Sequence, residues 1–187
     1  MTVERLVLDE LAPMPWRNGL GRTREVLSWP PGAGFDAFLW RVSVASITVD
    51  GPFSAFPGVD RTIILLEGEG IHLRGDRVDQ RIDRPYHPFA FSGDAPLSCE
   101  LLGTDSTNFN VMSRRGQARA DIAVLTGPAT ITGEHGLIVG LRGECQLAQT
   151  RCPAGSGVSW AASSRSWQLN PNSDDALVIA VTFQLVW

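Results

Sequence analysis

The chain has 187 residues, 43% of them hydrophobic and 19% charged, a globular composition with enough length for one sizeable core or two small ones. Its net charge of -4 argues against a general nucleic-acid-binding surface, and no apolar run approaches the roughly 20 residues of a membrane-spanning helix. The start "MTVERLVLDE" lacks the basic and apolar regions of a secretory signal, so a cytoplasmic location is expected, with neither nucleic acid nor membrane as partner.

Short apolar or alternating runs recur in chain order at residues 3–8, 24–29, 38–49, 61–66, 70–73, 77–82, 87–92, 97–102 and 109–114. They continue after Gly116 at 120–126, 130–132, 136–147, 157–160, 166–169 and 176–186. Many short strands separated by Gly, Pro and Asp predict an all-β sandwich or barrel. "DSTNF" offers at most one helical turn. "LLEGEGIHL" (65–73) and "GLRGECQLA" (140–148) share a Leu-x-Gly turn between apolar runs, as two related β units would. The expected division is 1–116 and 117–187, packed as one folding unit, because about 70 residues make a marginal core alone.

All 16 basic residues are Arg, whose planar fork suits carboxylates and phosphates, so a buried one would act as an anion clamp. Cys99, Cys145 and Cys152 lack Cys-x-x-Cys spacing and predict neither a disulfide framework nor a zinc site. The histidines are His72, His87 and His135, with no His-x-His, whereas a facial metal site needs about three His and a carboxylate. No metal or other cofactor is expected. No Gly-x-Ser-x-Gly elbow is present, and no residue is assigned a catalytic role.

"MPWRNGLGRTRE" (14–25) lacks a Gly-Lys-Ser/Thr ending and leads into a strand, so it is not a phosphate-binding loop. A structural turn and a pocket rim remain; Gly19 permits close backbone approach and Asn18 offers an amide. In "LWRVSVAS", alternation places Trp40, Val42 and Val44 on one face and Arg41, Ser43 and Ala45 on the other. Either Arg41 lies in solvent, or Arg41 and Ser43 line a polar interior. Arg61 opens "TIILLEG", apolar on both faces and so expected in mid-sheet. Such an Arg needs a carboxylate, from Asp60 or another protein group or from a ligand. Phe53, Phe56 and Phe91 are candidate pocket walls or ordinary core, Asn110 is a candidate for orienting a ligand amide, and Arg114 and Arg115 are expected at the surface.

"LEGEG" followed by "HPFAFSG" resembles the cupin pattern, and the stretch where cupins carry His-x-His reads "FSAFPG". More specifically, "PWRNGLGRTRE", "FLWRVSVASITVDGPFSAFPGVDRTIILLEGEGIHL", "FAFSG" and "NFNVMSRR" are similar to the HutD/Ves family over residues 15–115. Leu20 stands where the family usually has a third glycine, and Asn108 where an Asp precedes Phe109. The resemblance implies a bicupin, two packed cupin-type barrels with a pocket in the first. It also implies a regulatory role in histidine utilisation, through binding an intermediate such as urocanate or N-formylglutamate. The resulting expectation is a metal-independent binder of a small anionic metabolite, through Asn18, Gly19, Arg41, Ser43, Phe53, Phe56, Arg61, Phe91 and Asn110. The alternatives are a metal-independent isomerase or hydrolase acting on a similar carboxylate, and an interaction scaffold with a vestigial pocket. Unpaired β edges allow a homodimer.

Overall fold

The computed structural model describes residues 2–16 and 21–186. β1 (Thr2–Val7) and a 3-10 turn at Leu8–Glu10 precede β2 (Pro13–Pro15), β3 (Gly21–Trp29), β4 (Trp40–Ile47), β5 (Gly51–Phe53) and β6 (Val59–Glu67). β7 (Ile71–Gly75), β8 (Val78–Ile82), β9 (Phe89–Ser92), β10 (Leu97–Leu101) and β11 (Ser106–Arg114) follow. Next come β12 (Ala118–Leu125), β13 (Ala129–Gly133), β14 (His135–Arg142) and β15 (Glu144–Leu147). The last strands are β16 (Thr150–Pro153), β17 (Ser156–Ala161), β18 (Arg165–Pro171) and β19 (Leu177–Leu185). The all-β expectation holds. "DSTNF" does not turn helically: Ser106–Phe109 enter β11, where pairing on both sides overrides local preference.

The chain forms two compact units, one being Leu11–Ala118, the other joining the segment up to Glu10 with the segment from Arg119 on. β1 belongs to the second because it pairs antiparallel with β17, Thr2 opposite Ala161 through Val7 opposite Ser156.

In Leu11–Ala118 a six-stranded sheet runs in the order β2-β3-β4-β11-β6-β9 and a four-stranded sheet in the order β5-β10-β7-β8. Period-two alternation turns Ile47, Ile63 and Leu65 of the larger sheet toward Phe53, Ile71, Leu73, Ile82, Leu97 and Cys99 of the smaller, forming one apolar cluster. Full burial of each aliphatic side chain there stabilises the fold by about 1.5–3 kcal/mol. β6 lies between β11 and β9, and Ile64, which points to the opposite face from Ile63 and Leu65, is also fully buried. β2 escaped sequence detection because two of its three residues are proline, tolerated on this edge strand.

The other unit repeats the scheme, with sheets β1-β17-β14-β19-β12 and β13-β18-β15-β16 sharing a cluster that includes Ile138, Leu147, Trp160, Leu169 and Val178. The two Leu-x-Gly turns are equivalent devices. Gly68 carries the chain from β6 in the larger sheet toward β7 in the smaller, as Gly143 does between β14 and β15. At Gly68 φ is +90° and a Cβ would stand 2.1 Å from the Asp105 carbonyl oxygen, so no other residue fits. The apolar run 136–147 is accordingly two strands. Among the described residues no helix is long and apolar enough to cross a membrane.

Candidate functional site

Register decides where the polar residues of the large sheet point. Ile47 belongs to the internal cluster, so Ala45, Ser43 and Arg41, which share its parity on β4, face inward too. Ile63 and Leu65 fix Arg61 inward on β6 by the same rule. On β11, Asn108 stands opposite Ala45 and Leu65, Asn110 opposite Ser43 and Ile63, and Met112 opposite Arg41 and Arg61. The inward face is therefore apolar at one end and polar at the other. Arg41 and Arg61 are each 5% exposed, Ser43 3% and Asn110 4%. Of the two readings of Arg41, the interior one is what the structure shows.

The two guanidinium groups are satisfied differently. Arg41 Nε donates to Glu25 Oε2 at 2.7 Å, its Nη1 lies 3.5 Å from Ser43 Oγ, and its Cζ stands 4.9 Å from the Phe35 ring centroid. Arg61 meets no carboxylate among the described residues. Its Nη1 donates to the Ser54 carbonyl at 3.0 Å, its Nη2 lies 3.5 Å from Asn110 Oδ1, and its buried Nε has no partner. Three rings surround its Cζ: Phe53 at 4.6 Å, Phe91 at 5.1 Å and Phe56 at 5.2 Å, attractive through their π faces. Burial, and then repulsion from Arg41, push its guanidinium down to about 9 from 12.5. With Glu25 balancing Arg41, one positive charge remains uncompensated.

The surrounding chain is built to hold this arrangement. Phe91 is the β9 neighbour of Arg61 in the ladder, and Phe53 comes from β5 in the facing sheet. The segment carrying Phe56 is clamped to Gly93, whose carbonyl accepts from Phe56 N–H at 2.6 Å and whose N–H donates to the Val59 carbonyl at 2.8 Å. A Cβ on Gly93 would stand 2.8 Å from the Phe56 oxygen and 3.2 Å from Arg61 Cδ, which accounts for the glycine of "FSG". Arg114, expected at the surface, is half-buried and donates to the carbonyls of Phe35, Asp36, Phe38 and Pro57. It thereby ties together the two loops whose Phe35 and Phe56 rings meet at 5.7 Å.

Arg41, Ser43, Phe53, Phe56, Arg61, Phe91 and Asn110 thus lie on or against one inward surface, whereas Asn18 and Gly19 fall outside the described residues. Asp60 does not serve Arg61. Neighbours on a strand point to opposite faces, and Asp60 pairs with exposed Arg115 at 2.7 Å. Glu100 stays outside as well, 3.2 Å from Arg74. His72 is buried, with Nε2 2.5 Å from Asp79 Oδ1. Among the described residues no group of three or more His, Cys, Asp or Glu is placed to hold a metal ion.

Sequence reasoning missed Glu25 and Phe35, and singled out Asn108 only as a departure from the family pattern. Glu25 stands opposite Ser43 and so shares the inward face, but the bulge between Glu25 and Leu27 interrupts the alternation of the strand and hides this in the sequence, and Phe35 lies in a loop without periodicity. A separate open depression of about 570 Å³ lies on the outward side of the same sheet, lined by Arg22, Arg24, Val44, Ser46 and others. Its arginines are not buried, and the clustering of buried polar groups favours the inward site.

The HutD family profile matches residues 8–174. The chain is 35% identical to Protein Ves from Citrobacter koseri over 170 residues, covering 90% of this chain and 88% of that one. It is 34% identical to Protein Ves from Cronobacter sakazakii, covering 90% and 92%. HutD from Pseudomonas fluorescens SBW25, solved in a formate condition, superposes over 100% of both chains with a TM-score of 0.87 at 22% identity. A cupin 2 conserved barrel domain protein from Leptotrichia buccalis, at 9% identity, matches with a TM-score of 0.59 over 99% and 98%, which extends the likeness to cupin folds. The chain belongs to the HutD family.

Proposed function

We propose that the inward face of Leu11–Ala118 binds a small monocarboxylate metabolite and that the protein acts as a metal-independent binder modulating histidine utilisation. In this reading each pair of sheets is one cupin-type barrel, the chain is a bicupin, and it works in the cytoplasm. One observation carries the ligand class: Arg61 is a buried guanidinium with an unpaired Nε and no carboxylate partner among the described residues. Such a charge is costly until an anion pairs with it, and a carboxylate offers two oxygens to the planar fork. One uncompensated positive charge favours a monoanion. Urocanate therefore suits the site better than the dianionic N-formylglutamate, and the phenylalanine rings suit its planar body.

A thermal-shift series with acetate, benzoate, urocanate and N-formylglutamate tests the reading. A ligand bound only by the folded state raises the melting temperature with concentration. The monocarboxylates are expected to stabilise the wild type, and Arg61→Ala to abolish the effect. Equal shifts in both proteins contradict it, and turnover of any of these compounds would replace binding by catalysis.

A further inference from the structure

Two of the three buried side-chain polar atoms without a partner among the described residues, Arg61 Nε and Asn108 Oδ1, lie on the same inward face. Asn108 is 0% exposed, and its Nδ2 donates to Ser106 Oγ at 3.1 Å while its Oδ1 accepts nothing. Buried amide oxygens are almost always paired, so an unpaired one beside a binding site marks where a missing donor belongs. Its placement matches. Asn108 is two residues from Asn110, whose side chain Arg61 Nη2 approaches, so it stands about 6–7 Å further along β11. The β4 residues opposite Asn108 and Asn110 are Ala45 and Ser43, both small.

We infer that Asn108 is a specificity-determining residue. Its Oδ1 accepts a hydrogen bond from a neutral N–H or O–H donor at the end of the ligand away from the carboxylate held at Arg61. The recognised class is then a rigid monocarboxylate with a donor at its far end. This rests on the carboxylate reading above and adds the second contact point. A site built around a hydrogen-bond acceptor discriminates strongly against an analogue that cannot donate, because the acceptor is left buried and bare.

The test compares 4-aminobenzoate with 4-methylbenzoate, similar in shape and differing in the donor, by titration calorimetry on wild type, Asn108→Leu and Asn108→Ala. The wild type is expected to prefer 4-aminobenzoate by about tenfold or more, against the greater apolarity of the methyl compound. Both variants should lose that preference and keep affinity for 4-methylbenzoate. Asn108→Leu keeps the volume while removing the unpaired atom, and Asn108→Ala supplies the answer should leucine disturb packing. Equal wild-type affinities, a preference for the methyl compound, or a preference that survives in the variants overturns the inference. Acetate titrated in parallel against wild type and Arg61→Ala separates the layers. Arg61-dependent acetate binding with no donor preference removes Asn108 alone, and no carboxylate binding at all removes the underlying reading too.

Discussion

Replacing Arg61 by Met, similar in length and apolar, separates a binding role from a structural one. In the unliganded protein, burial and Arg41 lower the guanidinium from 12.5 to about 9. Its proton stays on at neutral pH, so the lowering marks a cost of keeping that charge inside. Three ring contacts and the bond to the Ser54 carbonyl return part of this. The net expectation is that Arg61→Met leaves the unliganded protein as stable as wild type or more stable by roughly 1–3 kcal/mol. Benzoate affinity should fall by roughly 2–5 kcal/mol, because the carboxylate then sits buried without its fork. Arg61→Lys should recover only part, keeping charge but not planar geometry. Urea unfolding and titration calorimetry on the three proteins give both quantities. Clear destabilisation of the Met variant with unchanged benzoate affinity would refute the reasoning and make Arg61 a structural residue.

Glu25→Gln removes the carboxylate 2.7 Å from Arg41 Nε and leaves a second buried guanidinium uncompensated. Glu25 is itself about a third exposed, so the expected loss is about 1–3 kcal/mol in urea unfolding, with benzoate bound more tightly than by wild type; weaker binding would contradict the charge count. Gly68→Ala, at φ +90° and with Cβ 2.1 Å from the Asp105 oxygen, should lower stability by about 2–4 kcal/mol, and a loss under about 1 kcal/mol would disprove the need for glycine. His135 is held below its ordinary 6.5 by burial, with Glu134 opposing, and its Nδ1 accepts from Ala162 N–H at 3.2 Å. The unfolded chain then takes up that proton more readily, so this contribution is present above pH 6.5 and lost as pH falls below it. Between pH 7.5 and 5.5, His135→Gln should lose less stability than wild type, and parallel losses would refute the assignment.

The strands were legible where alternation met a turn residue, as in 97–102, because burial on one sheet face imposes a period of two, and where a short continuous apolar run did, as in 61–66. The same periodicity grouped Arg41 with Ser43 and Ala45 but left open which face was interior. That depended on Ile47 joining the cluster with Leu65 and Leu73, a long-range fact invisible along the chain. Apolar residues on both sides of β4 made the choice ambiguous, since this strand is buried on both of its faces. Glu25 was hidden by a bulge, and the run at 3–8 marked β1 but not its partner β17, roughly 150 residues away. The tripeptides of β2 and β5 are too short for any periodic signal.

A crystal structure with 4-bromobenzoate bound tests the carboxylate site most directly, because bromine is located by its anomalous scattering. The expected result is a carboxylate within hydrogen-bond distance of Arg61 Nε, between the Phe53, Phe56 and Phe91 rings, with bromine directed toward Asn108. A carboxylate found instead in the outward depression beside Arg22 and Arg24, with Arg61 left unpaired, would contradict it.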